Sequence, residues 1–166
     1  MPALEAGVQA PEIELQYLDG RKFSLKEARQ KGPVVAVFFK VSCPVCQMAL
    51  PYLDRIFKAY AGSGAFSFIG VSQDNAADTQ AFNRQFNVSF PVVLDPAGKY
   101  PASNAYGLTN VPTTFLVSPE GEIDFATVSW SKADVNQLNR RLASLSDAAT
   151  AQIFQPGENV SEFKPG

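Results

Sequence analysis

Cys43 and Cys46 are the only cysteines in 166 residues, and they stand three apart in Cys43-Pro44-Val45-Cys46. Two thiols at this spacing can close and reopen a disulfide, so the chemistry they suggest is thiol-disulfide exchange. Half of a four-cysteine zinc site has the same spacing. Here, however, there is no third cysteine and no histidine to complete a tetrahedron without carboxylates or a second chain. The missing histidine also excludes Ser-His and Cys-His nucleophile pairs and histidine general bases. The remaining alternative is an inert buried pair.

A thiol pair is only as reactive as its placement. Val34-Val35-Ala36-Val37-Phe38-Phe39 is apolar on both alternating faces, as suits a central strand covered on both sides. After it Val45, Met48, Ala49, Leu53, Ile56, Phe57 and Tyr60 recur at three- and four-residue spacing, which predicts a helix over 43–60. Pro51 should kink it. Cys43 then sits at the helix N-terminus, where free amides and the macrodipole favour a thiolate, and Cys46 lies one turn inside, placed to attack a mixed disulfide. Pro44 suits the first helical position because its absent amide would be unpaired there. Lys40, three residues before Cys43, is the nearest ionisable candidate for an acid-base partner.

The remaining pattern sets the frame. Leu15 to Tyr17 and Lys22 to Ser24 flank Asp19-Gly20, predicting an N-terminal β-hairpin. A strand over 66–71 leads to a helix over 76–86 that Asp74 or Asn75 could cap, and short strands follow at 92–94 and 113–117. Ser118-Pro119-Glu120-Gly121 is a turn into an antiparallel return over 122–128. A last helix starts at Ser131 and presents Val135, Leu138, Leu142 and Leu145 to the sheet, with Trp130 packing beside it. Asp95-Pro96 and Ala97-Gly98 are turn signals. The order βαβα then ββα predicts an α/β fold, a three-layer α/β/α sandwich with a mixed central sheet. One domain is expected over 1–146. Residues 147–166, small, polar and Pro/Gly-containing, are expected to be a loosely packed tail on which Ile153, Phe154 and Phe163 are the apolar residues able to dock.

Composition narrows the partners. Fourteen basic against sixteen acidic residues give a net charge of -2 without a long run of one sign, so neither a nucleic-acid groove nor a polybasic membrane patch is expected. No signal peptide or apolar span is visible at the start, and a cytoplasmic product is the expectation, with a truncated periplasmic form as the alternative.

Phe38-Phe39 before the CPVC, Pro51 five residues after Cys46, and Val111-Pro112-Thr113 leading a strand resemble the thioredoxin superfamily. Within it, Ala6-Gly7-Val8-Gln9-Ala10-Pro11, Phe90-Pro91-Val92-Val93-Leu94-Asp95 and Val111-Pro112-Thr113-Thr114-Phe115-Leu116 resemble the AhpC/TSA redoxin branch and its TlpA/ResA-like thiol-disulfide oxidoreductases. The resemblance covers about residues 7 to 145. It implies a thioredoxin-like fold and an enzyme passing electrons through the Cys43-Cys46 pair, with that disulfide as its only redox group and no bound cofactor. It implies protein or small-molecule disulfides and dithiols as partners, with an external reductant or oxidant. It further implies a cis Val111-Pro112 bond facing the cysteines, with Pro44, Val45, Val111 and Pro112 contacting substrate and the Val111 backbone pairing with a bound polypeptide. Three positions depart from the pattern: Ser42 replaces the usual tryptophan, and Val37 and Ala49 stand where relatives carry a buried acid. A peroxiredoxin-like peroxidase is the rival, but the threonine or serine three before the cysteine and the proline seven before it are here Lys40 and Ala36. A thioredoxin-like binding module without redox activity is the second alternative.

Overall fold

The computed structural model describes residues 3–166; Met1 and Pro2, part of the expected domain and of the start read for targeting, lie outside the described residues. Strands β1 (Glu14–Tyr17) and β2 (Lys22–Ser24) form the N-terminal hairpin, and Gly20 takes φ 88° in its turn, where a side chain would be strained. Helix α1 (Leu25–Arg29) follows directly, with the Ser24 hydroxyl accepting from the Glu27 amide. This single turn is too short to show a period in sequence, and none was expected there.

Strand β3 (Val34–Phe39) is buried along its whole length between β4 (Ser67–Ser72), which is parallel to it, and β6 (Thr113–Val117), which is antiparallel. The sheet runs β2-β1-β5-β4-β3-β6-β7, with β5 (Val92–Leu94) parallel to β4 and β7 (Ile123–Val128) antiparallel to β6. It is therefore mixed. The alternation of β3 sends Val35, Val37 and Phe39 to one face and Val34, Ala36 and Phe38 to the other. The first face packs α2 (Pro44–Tyr60), Phe82 of α3 (Ala76–Gln85) and α5 (Lys132–Leu145). The second packs Leu25 of α1, Ala102 of α4 (Pro101–Ala105) and Tyr106 after it. Two covered faces make the three layers.

Helix α2 begins one residue after Cys43 and continues through Pro51; Asn75, not Asp74, caps α3; Ser131 caps α5 by accepting from the Asp134 amide. Leu145, expected against the sheet, is 42% exposed in the last turn of α5, where Leu142 and Ala143 already complete the contact. No described helix is long and apolar enough to cross a membrane.

Residues 147–166 are not the loosely packed tail expected. Ile153 is buried in the core cluster, and Phe154 packs tilted against Tyr52 and edge-on to Trp130 at centroid distances of 5.1 and 6.1 Å. Arg55 on α2 forms a forked pair with Glu158 at 2.7 and 2.8 Å and also donates to the Ile153 carbonyl. Asn139 and Tyr60 hold the backbone of Ala151. Beyond these anchors β9 (Phe163–Lys164) pairs antiparallel with β8 (Trp130–Ser131). Phe163 does not dock and is 61% exposed. Small and polar residues concealed this arrangement because a few anchors and hydrogen bonds from core side chains to the tail backbone, rather than an apolar period, seat it.

Candidate functional site

The site forms where β3 ends and α2 begins, beside the loop that leads into β6. Cys43 is the N-cap of α2: its backbone is extended (φ -84°, ψ 116°), its carbonyl accepts the Gln47 amide, and its sulfur accepts the Cys46 amide at 3.3 Å. A sulfur thus replaces the oxygen that usually satisfies a first-turn amide. The Cys43 thiol also lies 3.5 Å from the Val111 carbonyl, as a donor to it. The Val111-Pro112 bond is cis. Pro112 is buried and Val111 half-buried, while Pro44 is exposed and Val45 half-buried between the two thiols.

Cys46 is fully buried, and both cysteines are free thiols. Burial pushes the Cys46 thiol far above its ordinary range; the Lys40 backbone amide, bonded to it, works the other way, and the neighbouring Cys43 and the charge of Asp74 raise it further. The pair is therefore asymmetric, with one sulfur half-buried at a helix terminus and one protonated in the core. Val37 and Ala49 are both fully buried in the same apolar cluster as Cys46, so no carboxylate reaches it from those positions.

Asp74, just beyond β4, brings the nearby negative charge instead. Its carboxylate accepts the Val41 amide at 2.8 Å, and Gln47 donates to the Val41 carbonyl, so the strand-to-helix turn is clamped from two sides. Sequence reading considered Asp74 only as a helix cap. The available signal was topological: β3 and β4 are parallel neighbours, and residues just past their C-terminal ends meet at one edge of the sheet.

A cavity of about 490 Å³ opens at the thiol, lined by Lys40, Ser42, Cys43, Tyr100, Asn104 and Val111 among others. Lys40 is exposed on its rim. Tyr100 holds φ 44°, in the left-handed region, where the chain turns into α4. The α4 side of the cavity was not anticipated. Asp95, read as part of a turn, is fully buried and fixes α4 by accepting from the Ala102 and Ser103 amides and the Ser103 hydroxyl.

A central mixed sheet, a thiol-capped helix and a cis-proline loop facing that thiol define a thioredoxin-fold protein with an exchange-type dithiol. Residues 6–126 match the AhpC/TSA family, and the chain belongs to it. It is 29% identical over 136 residues to the thiol-disulfide oxidoreductase ResA of Geobacillus thermodenitrificans, covering 81% of this chain and 76% of that one. To ResA of Bacillus subtilis it is 30% identical over 122 residues, 73% of this chain and 66% of that one. Among solved structures, the thioredoxin domain of a thiol-disulfide oxidoreductase from Bacteroides vulgatus superposes with a TM-score of 0.72 at 26% identity, covering 84% of this chain and 99% of that one. The chain is a thiol-disulfide oxidoreductase of the ResA/TlpA-like kind.

Proposed function

We propose that Cys43 is the attacking thiol, Cys46 the resolving thiol, and protein or small-molecule disulfides the substrates. The observation that carries this is the position of the Cys43 sulfur, between the Cys46 amide and the Val111 carbonyl at the open end of α2, with Cys46 buried behind it. As a thiolate, Cys43 attacks one sulfur of a substrate disulfide; that S–S bond breaks, and the departing thiolate takes up a proton. Cys46 then loses its proton and attacks the Cys43 sulfur, closing Cys43–Cys46 and releasing the second substrate thiol. Two electrons and two protons pass from the dithiol to the substrate, and an external dithiol restores the starting state. The same steps in reverse oxidise a substrate dithiol. The disulfide itself is the redox group, so the cycle needs no bound cofactor. Lys40, on the cavity rim, is a cation at the approach to Cys43, and Pro44, Val45, Val111 and Pro112 surround the reacting sulfur.

The test is capture. Cys46→Ser, incubated with an oxidised peptide, should accumulate a mixed disulfide at Cys43 that mass spectrometry resolves, while Cys43→Ser should not. Capture by Cys43→Ser alone would reverse the two roles, and inertness of the wild-type dithiol toward every disulfide would remove the reading altogether.

A further inference from the structure

The tail reaches the site. After the β8–β9 pairing, the Gly166 amide donates to the Ser129 hydroxyl at 3.0 Å, and the Gly166 carbonyl accepts from the Asn110 side chain at 2.7 Å. Further back, the Lys132 amide donates to the Glu162 carbonyl and the Trp130 indole to the Ser161 carbonyl. These contacts lay Gly166 against the cis-proline loop so closely that a methyl group added to it would run into the Val111 carbonyl and lie 3.3 Å from the Pro112 ring. Residues 161–166 therefore form a strap whose tip lies beside the backbone group to which Cys43 donates. A polypeptide adding as a strand along Val111 needs the same space.

The strap leaves a cavity open at Cys43. Gly166, Asn110 and Val111 form one wall of it and Lys40, Tyr100 and Asn104 another, and its volume of about 490 Å³ suits a small disulfide but not an extended chain. The strap residues are all exposed, seated by the β8–β9 pairing, the Lys132 amide and single side-chain bonds from Trp130, Asn110 and Ser129, while the firm anchors, Ile153, Phe154 and Glu158, lie upstream. The tip can thus lift without unseating the tail.

Resting on the exchange reaction proposed above, we infer that residues 161–166 are a specificity-determining strap: they occupy the polypeptide-pairing edge at Val111, so small disulfides react directly and polypeptide disulfides only when the strap is displaced. The bond changes are the same for both substrates; what differs is access to the Cys43 sulfur.

Two disulfides test this on the full chain: bis(2-hydroxyethyl) disulfide as the small probe and insulin as the polypeptide. Lys164→Pro removes the amide of the residue paired with Trp130, and Ser129→Ala removes the acceptor for Gly166. The double variant should reduce insulin about tenfold faster than wild type, the equivalent of about one to two net hydrogen bonds lost from the seat, and reduce the small disulfide within about twofold of it. Gly166→Ala, which lifts the tip by collision, should accelerate the insulin reaction in the same direction. An unchanged insulin rate, or equal changes with both probes, overturns the strap. Wild type and variants inert toward both probes would instead overturn the exchange reaction itself, and the strap with it. The small-disulfide rate also reports that the variant's site is folded.

Discussion

Two kinds of polar group lie inside this protein, and they are treated in opposite ways. Asp54 and Asp95 are almost wholly buried, yet each is surrounded by donors: Asp54 accepts from the Ser89 amide and hydroxyl and the Phe90 amide and pairs with Lys58 at 3.1 Å, and Asp95 accepts three bonds at the start of α4. Cys46 is equally buried but has apolar neighbours and a single helpful amide. A buried group with every partner supplied holds loops together. A buried group denied partners keeps its proton and gives it up only when the chemistry next to it changes. Burial alone therefore does not distinguish structure from function in this fold; the completeness of the partners does.

The sharpest way to break that comparison is to exchange the consequences. Asp54→Ala leaves the buried Phe90 amide, and the amide and hydroxyl of the more exposed Ser89, without their acceptor and should cost about 2–3 kcal/mol of stability in denaturant unfolding, since a buried unmet donor costs about 1–3 kcal/mol. The rate of disulfide exchange by the folded fraction should not change. Cys46→Ala should do the reverse, with a small stability change and no completed turnover. If Asp54→Ala abolishes exchange in folded protein, the carboxylate is part of the chemistry and the contrast fails.

How far these roles were visible in sequence follows from the same physics. The dithiol, its helix and the central strand were legible because each depends on local pattern: a three-residue spacing, a 3.6-residue period, a doubly apolar run. The cis-proline loop was implied only by the family resemblance that Val-Pro-Thr before a strand carries. The second half of the site was not. Asp74, Tyr100 and Gly166 come from three separate loops, and nothing local marks a residue whose value lies in what it meets across the sheet. Helices α1 and α4 are five residues each and strands β8 and β9 two, too short to show a period. The tail was misread because a few anchors, Ile153, Phe154 and the Arg55–Glu158 fork, dock a segment of otherwise polar composition.

A second test uses pH. The Cys46 and Tyr106 side chains both have pKa values raised, in each case chiefly by burial. Above the unfolded thiol value of about 8.5, an unfolded chain gives up a proton that the folded chain still holds at Cys46, so stability falls as pH rises, by at most about 1.4 kcal/mol per pH unit for each such group. Reduced protein should therefore lose thermal stability from about pH 9 upward. In oxidised protein the Cys46 contribution is gone because no proton remains to titrate, and the tyrosines raised by burial, Tyr106 and Tyr17, contribute what is left. Melting curves of both redox forms between pH 7 and pH 10.5 should diverge on the alkaline side. Parallel curves would mean that Cys46 is not held protonated by the core.

The smallest expected effect belongs to Lys40, which stands between the two kinds of group: charged, exposed, and on the rim of the cavity that Cys43 opens into. Its ammonium acts through water. At a separation of about 8 Å in water two unit charges interact by about 0.5 kcal/mol, a factor of about two in rate. Its influence can take two forms that different reagents separate. If it stabilises the Cys43 thiolate, Lys40→Met should slow attack on every disulfide; if it draws substrate in, only anionic disulfides should notice. Its exposed position at the mouth of the cavity favours the second form. With 5,5'-dithiobis(2-nitrobenzoate), an anion, Lys40→Met should react about twofold more slowly at low salt, and the difference should vanish near 1 M salt, where screening extends only about 3 Å. With neutral bis(2-hydroxyethyl) disulfide the two proteins should react alike. An equal slowing with both reagents would move Lys40 from the approach path to the thiol itself, and with it part of the asymmetry now assigned to the end of α2.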